Sequence, residues 1–201
     1  MVGMTSYITI GDYEFKVCHS FQTKKSWKQL AQTASIKLHN IAGLIQAIKV
    51  GDAVLIQAGY DGDLITEFEG FVSEILPTYP VEIKCEDEMW NRKQETFSGS
   101  WQSITLANLL KNMLPDATVE VPDVTLSPFR VNKVTKSQVL QKLKDEYLLT
   151  AYYRDKKLFV GLPYVEKNLP EIVMHFQQNA LPKGLVFKRK EDVKIKVRAV
   201  S

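Results

Sequence analysis

The 201-residue sequence lacks any long hydrophobic run. A membrane helix needs about 20 consecutive apolar residues, and no segment approaches that length. The beginning, "MVGMTSYITIGDYEF", also lacks the basic region and apolar core of a signal peptide. The sequence therefore predicts a protein that is made in the cytoplasm and does not insert into a membrane.

Residue types for covalent and metal chemistry are scarce as well. The two cysteines, Cys18 and Cys85, are far apart and no CxxC pair occurs, so neither a disulfide framework nor a zinc site is indicated. His19, His39 and His175 are scattered over predicted strands and their ends. Nucleophile-elbow, P-loop, GxGxxG and HExxH patterns are absent. The sequence predicts no catalytic residue, no metal and no cofactor.

One acidic cluster leaves an enzymatic hypothesis open. "CEDEMW" places Glu86, Asp87 and Glu88 directly after a predicted strand. Two carboxylates can perform acid–base chemistry on glycosides, but acidic residues ahead of a helix or turn more often cap backbone N–H groups. The tryptophans offer a similar choice between a sugar-stacking surface and core packing; they are Trp27, Trp90 and Trp101.

The first ninety residues have the pattern of antiparallel strands. Apolar and polar residues alternate over residues 13–21, 34–39 and 81–86, and a further strand is predicted within 50–60. Alternation over short runs is typical of strands with one buried face.

Asp61, Gly62 and Asp63 follow one of these strands and suggest either a calcium loop or a turn. An EF-hand loop that starts at Asp61 needs an oxygen ligand at its fifth position and glycine at its sixth, but Ile65 and Thr66 occupy them. Asp-Gly is instead the strongest short hairpin signal. We predict a hairpin turn and no bound metal.

The alternation changes phase at Gly70. Since one inserted residue re-phases a strand, the sequence predicts a β-bulge there, and long bulged strands curl sheets into barrels. A straight strand that carries Val72 inward is the alternative.

Helical periodicity begins after residue 100. We predict one helix within 103–115, capped by Ser103 or Thr105, and a second within 134–149. One or two short strands are predicted between the helices and a hairpin turn at 154–157, so that 96–164 forms a small α+β unit. The predicted buried stripes are Leu106, Leu109, Leu110 and Met113 in the first helix, and Val139, Leu140, Leu143 and Tyr147 in the second; Lys136, Lys142 and Lys144 are predicted to face solvent.

The last segment, 165–201, returns to the strand pattern and stops within it. This unfinished pattern indicates either that the chain is shorter than its architecture needs or that a neighbouring chain completes the sheet. Seven basic residues outnumber two acidic ones in 181–201. Lysine on a sheet edge commonly guards against aggregation; the alternative is a binding patch.

The segment "NIAGLIQAIK" joins two predicted strands but is apolar, whereas such connections are normally short and polar. Helical spacing allows Ile41, Leu44, Ile45 and Ile48 either to cover the end of the predicted barrel or to dock on another subunit. These four residues are the candidate subunit interface.

The order of these elements resembles the bacteriophage baseplate hub family. That family includes late control protein D, the Mu-type tail hub and the base of the type VI secretion spike. The resemblance rests on a Gly-Asp before a strand, a Gly-Tyr hairpin, a "GFV" strand and a strand ending in Cys-Glu-Asp, all within 48–90. "TASIKL" earlier in the chain, and "TLANLLKNMLP" and "KSQVLQKLKDEYLLTAYYRDKKLFVG" later, extend it over nearly the whole sequence.

The resemblance implies a mainly β fold with three parts: an antiparallel tube-like β-barrel (1–95), an α+β domain (96–164) and an incomplete second barrel (165–201). It implies a structural role in a prophage-encoded virion tail or baseplate, without catalytic residues. Such hubs assemble as trimers between tail tube and spike or tip proteins, and leave a channel for DNA or effector without sequence-specific binding.

Two rivals remain from the residues themselves. The predicted barrel and the basic end suggest an OB-like nucleic-acid-binding protein, although Lys/Arg and aromatic residues do not interleave on one strand face as a stacking platform requires. The cluster at 86–88 suggests a glycan-active enzyme.

Overall fold

The computed structural model describes residues 4–39, 43–115, 117–154 and 156–162, without the side chains of Met4, Leu44 and Ile45. These residues belong to one compact unit, Met1–Val165. The predicted strands and basic residues of 165–201 lie outside the described residues. None of the helices in the described ranges is long and apolar enough to cross a membrane.

Seven antiparallel strands form a single sheet in the first half of the chain. They are β1 (Met4–Ile10), β2 (Tyr13–Phe15), β3 (Ser20–Lys24), β4 (Thr33–Leu38), β5 (Ala53–Tyr60), β6 (Asp63–Leu76) and β7 (Val81–Glu86). Across the sheet the order is β2-β1-β5-β6-β7-β4-β3. A short helix, α1 (Leu44–Ala47), lies between β4 and β5 in the chain.

The strands predicted at 34–39, 50–60 and 81–86 are confirmed, but the single strand predicted at 13–21 is wrong. That segment forms both β2 and β3, which lie at opposite ends of the sheet. Phe15 pairs with Ile8, whereas Phe21 pairs with Ile36. Alternation shows which side chains face the core, but it does not show which neighbour a strand pairs with.

The hairpin predicted at Asp61-Gly62 is confirmed. Tyr60 pairs with Asp63, and the two residues between them have φ of 52° and 93°. Two consecutive positive φ values are those of a two-residue type I′ turn, which Asp-Gly favours.

The bulge predicted at Gly70 is wrong. Phe68, Gly70 and Val72 are all buried on one face, and the pairing of β6 with β5 is continuous from Phe68 to Phe71. The register shifts instead at Glu67, opposite β5, and at Ser73, opposite β7. The phase change in the sequence therefore combines two separate irregularities, one on each side of Gly70.

One face of the sheet carries its own hydrophobic core. Its largest buried side chains come from five strands and include Ile8, Ile36, Ile56, Phe68 and Ile83. Among the described residues β2 and β3 end the sheet without further partners. The mainly β fold with antiparallel sheets is therefore confirmed, whereas the closed, tube-like barrel stays a prediction.

The rest of the described chain mixes helices with small sheets. Its elements are α2 (Met89–Gln94), β8 (Thr96–Trp101), β9 (Ile104–Thr105), α3 (Leu106–Met113), β10 (Val119–Glu120), β11 (Thr125–Leu126), β12 (Phe129–Thr135), α4 (Lys136–Tyr147), β13 (Thr150–Arg154) and β14 (Lys157–Gly161). β8 pairs with β12, β9 with β11, and β14 lies between β10 and β13. The hairpin predicted at 154–157 joins β13 to β14, since Arg154 pairs with Lys157.

Both long helices begin at a threonine cap, of which the sequence predicted the first. The Thr105 hydroxyl accepts a hydrogen bond from the Asn108 N–H at 3.3 Å, so threonine rather than Ser103 caps α3. Thr135 and Gln138 form a reciprocal capping box at the start of α4. The predicted stripes are confirmed: they lie in or against a second hydrophobic core, which also holds Phe129.

Candidate functional site

The acidic cluster lies where the seven-stranded sheet meets α2, and its central member is buried. Asp87 is only 4% exposed. Its carboxylate accepts hydrogen bonds from the Gln32 N–H and the Met89 N–H, both at 3.0 Å. Burial raises the pKa of Asp87 to about 6, because the charged form loses hydration that two N–H donors only partly replace. The side chain thus acts as a cap for backbone groups.

The other two acids of the cluster are held by basic neighbours. Glu88 accepts from the Arg92 guanidinium at 3.0 Å, and Glu86 from the Lys93 ammonium at 2.5 Å. Arg92 continues the network, since its Nε donates to the Tyr153 hydroxyl at 3.1 Å. Capping, one of the roles predicted for the cluster, is confirmed for Asp87, whereas Glu86 and Glu88 form ion pairs.

A further ion pair ties α2 to α4. Lys136, predicted to face solvent, has a side chain only 16% exposed and bonds to the Glu95 carboxylate. This hydrogen bond lowers the pKa of Glu95. The helical periodicity of α4 could not predict the contact between Lys136 and Glu95, because Glu95 lies outside that helix.

Gly70 permits a close approach of backbone at the same joint. A Cβ built on Gly70 would lie 2.1 Å from the Glu86 carbonyl oxygen and 2.9 Å from the Asp87 Cα. Only glycine therefore fits where β6 passes the end of β7. Gly70 is thus explained by close packing and not by a bulge.

Two grooves border this joint, and neither presents free carboxylates. One, of about 430 Å³, is lined by neutral side chains and Lys93 beside Met89. The other, of about 710 Å³, lies on the polar face of the sheet and includes three glutamates. Glu74 bonds to Lys84 at 2.8 Å, Glu82 accepts from the Ser35 hydroxyl at 2.8 Å, and Glu86 is paired as described.

The residues proposed for a subunit interface are only partly described. Ile48 is 3% exposed and packs in the hydrophobic core of the sheet. Its side chain is therefore not available to contact another subunit. Ile41 and the side chains of Leu44 and Ile45 lie outside the described residues. For these three the interface stays a prediction.

Other candidate residues are dispersed. The His19 and His39 rings meet edge to face at 5.6 Å, and His175 lies outside the described residues. Burial raises the pKa of the Cys85 thiol to about 12, and Cys18 is also a free thiol. Within the described ranges no three His, Cys, Asp or Glu side chains are grouped to hold a metal ion.

The tryptophans do not form one surface. Trp101 stacks on Phe97 and lies beside Phe129 in the second core, whereas Trp27 is 44% exposed near β3. The core-packing interpretation therefore applies to Trp101. Sequence periodicity did not identify the edges of the seven-stranded sheet that have no described partner, which are those of β2, β3 and the half of β6 that extends beyond β7.

Comparison with known proteins identifies the fold. A 43 kDa tail protein of prophage MuSo2 from Shewanella oneidensis superposes with a TM-score of 0.57 at 14% identity, over 81% of this chain and 56% of that one. A tail protein from Neisseria meningitidis MC58 superposes with a TM-score of 0.58 at 12% identity, over 79% of this chain and 50% of that one. The chain shares the fold of these tail proteins.

The match is one of structure alone. No protein-family model and no curated protein sequence matches the chain. The chain spans about half the length of the two tail proteins.

Proposed function

We propose that this protein is a structural subunit of a phage tail, encoded by a prophage, and more specifically a baseplate hub component that joins the tail tube to a spike or tip. The observation that carries the proposal is the fold shared with two prophage or bacterial tail proteins at TM-scores of 0.57 and 0.58. The order of sequence motifs that resembles the hub family supports the finer assignment.

The unpaired strand edges support a role in assembly. A ring or tube is built by repeating one interface, and a sheet with free edges offers backbone donors and acceptors for it. In this proposal the seven-stranded sheet contributes to a tube-like wall, and three copies of the full hub close a channel. DNA or effector passes through that channel without sequence-specific binding.

A structural rather than enzymatic role is part of the proposal. The acids that could have acted on a glycan are engaged: Asp87 holds two backbone N–H groups, while Glu86 and Glu88 bond to Lys93 and Arg92. A glycosidase needs one carboxyl group free to donate a proton and a second free to attack or to activate water.

The test is co-purification with the tail-tube and spike or tip proteins of the same prophage. We expect a stable complex with at least one of them, and tails from a prophage without this gene should lack the joint between tube and tip. The tube protein of an unrelated phage is the control.

Failure to bind any tail protein would overturn the proposal. Salt-dependent binding of single-stranded DNA would then favour the nucleic-acid rival. Glycosidase activity lost in Glu86→Gln would favour the enzyme.

A further inference from the structure

Charge is sharply segregated along the first half of the chain. Residues 15–49 contain six lysines and no acidic residue, whereas residues 50–83 contain seven acidic residues and no basic one. Soluble proteins usually intersperse both signs on their surface. The structure places these two segments on different parts of the same sheet.

The acidic segment contains an exposed hairpin, residues 60–67, which we call the acidic tip. Asp61 and Asp63 are exposed and pair with no cation among the described residues. Tyr60 and Ile65 beside them are 58% and 62% exposed. The tip therefore combines unneutralised negative charge with exposed apolar surface.

The tip also has a free backbone edge. β6 pairs with β5 from Asp63 to Phe71, but β7 pairs with β6 only from Phe71 to Leu76. Among the described residues no strand occupies the second edge of β6 from Asp63 to Gly70. A free edge of this length is a template for another strand.

The basic segment carries the opposite set of features on β3 and the loop that follows it, residues 20–28, which we call the basic edge. β3 is a terminal strand whose outer edge has no described partner. Lys24, Lys25 and Lys28 are exposed and form no ion pair with a described residue. Trp27 is 44% exposed and lies under the Lys28 ammonium at 5.4 Å from the ring centroid.

We propose that the acidic tip of one copy binds the basic edge of a second copy, with the free edge of β6 pairing with β3. The two surfaces carry charge of opposite sign, and each also offers backbone groups without described partners and exposed apolar side chains. The two surfaces cannot pair within one chain, because β7 and β4 separate β6 from β3 in the sheet.

This contact is head-to-tail, so it forms a ring if the rotation closes and a filament if it does not. It deepens the assembly part of the proposed function and rests on it, by naming the surfaces through which copies meet.

Paired charge reversals test the contact in the full chain. The tip variant carries Asp61→Lys, Asp63→Lys and Glu67→Lys, and the edge variant carries Lys24→Glu, Lys25→Glu and Lys28→Glu. Sedimentation across a wide concentration range should show self-association of the native chain and a dissociation constant at least about tenfold higher for either variant alone. An equimolar mixture of the two variants should associate again, because every tip then meets an edge of opposite charge.

A control and a second readout make the result specific. Reversal of three exposed cations in the α+β part, Lys111→Glu, Arg130→Glu and Lys157→Glu, changes net charge as much as the edge variant but should leave association unchanged. Amide hydrogen exchange should slow with rising protein concentration at Asp63–Gly70 and at Ser20–Lys24. Circular dichroism establishes that each variant is folded.

The outcomes separate this inference from the proposed function. A strictly monomeric native chain, or association that ignores both reversals, overturns the tip-to-edge contact. Binding of tail proteins by the same monomer would still uphold the tail role. Rescue in the mixture without any binding to tail proteins would uphold the contact and overturn the tail role.

Discussion

The two cores of this protein are enclosed in different ways. In the α+β part, helices α3 and α4 pack against small sheets and surround a core of Leu, Val, Met and Phe side chains. In the first half of the chain a single sheet buries one face and keeps backbone edges at β2, β3 and the tip of β6 without described partners. The small sheets of the α+β part also end in strands without further described partners, such as β10 and β13, but these strands are shorter than the stretch of β6, Asp63–Gly70, that has no described partner on its second edge. In the proposed function, the seven-stranded sheet would be the assembly element and the α+β part would support it.

The largest effect is expected at the joint between the two parts, from Gly70→Val. A Cβ at this position would meet the Glu86 carbonyl oxygen at 2.1 Å, and backbone cannot yield as a side chain can. We expect a loss of more than about 4 kcal/mol in the free energy of unfolding, measured by urea denaturation. Thr66→Val, on the exposed part of the same strand, is the control and should change stability little. A folded, equally stable Gly70→Val protein would refute the close-packing explanation.

Next in size is Phe129→Ala, which tests the enclosed core. Phe129 is fully buried and lies against Trp101 and Tyr147, with ring centroids 6.5 and 6.2 Å away. The cavity should cost about 3–5 kcal/mol, and Phe129→Leu should cost less. Under conditions in which the variant is folded, its self-association should equal that of the native protein. A parallel loss of association would show that the two parts are not divided as we argue.

Asp87→Asn should have an intermediate effect that depends on pH. In the variant the amide NH₂ group replaces one carboxylate oxygen, so one of the two backbone N–H donors, of Gln32 or Met89, loses its acceptor. We expect the free energy of unfolding to fall by about 1–3 kcal/mol. Burial raises the pKa of Asp87 from 3.8 to about 6. The folded state therefore takes up a proton before the unfolded state does, and the contribution of Asp87 to stability is full below about pH 4 and is lost as pH rises through about 6.

The free energy of unfolding of the native protein and of the Asp87→Asn variant, measured by urea denaturation between about pH 4 and pH 7, tests this expectation. The cost of Asp87→Asn should grow as pH falls from about 7 to about 4. Asp123→Asn, at an exposed position, is the control. A cost that does not change with pH would contradict the buried-carboxyl assignment.

The smallest effect distinguishes two possible helix caps. Thr105→Ala should lower the free energy of unfolding by about 0.5–1 kcal/mol, because the Asn108 N–H loses its acceptor. Ser103→Ala should change the free energy of unfolding by no more than a few tenths of a kcal/mol. Equal effects of the two substitutions would mean that the hydroxyl of Thr105 is not the cap.

Much of the fold is local enough to be predicted. The Asp61-Gly62 turn, the two long helices α3 and α4, and three of the strands depend on residues close together in sequence. Alternation, capping and turn preferences act directly over such short distances. The division of 13–21 into two strands was missed, because it depends on partners at opposite ends of the sheet. The role of Lys136 was missed for the same reason, since Glu95 is 41 residues away.

Sequence by itself determined the Asp61-Gly62 turn, the two long helices with their buried stripes, three of the strands and the separation of acidic from basic segments, because these follow from the order of side chains along the chain. Only the tertiary structure decided the rest. It set Gly70 against the end of β7, turned an acidic cluster into a cap and ion pairs, and left the outer edge of β3 and part of one edge of β6 without partners among the described residues. Each of these depends on segments far apart in sequence, and pairing between distant strands is decided by packing of the whole sheet rather than by any local preference.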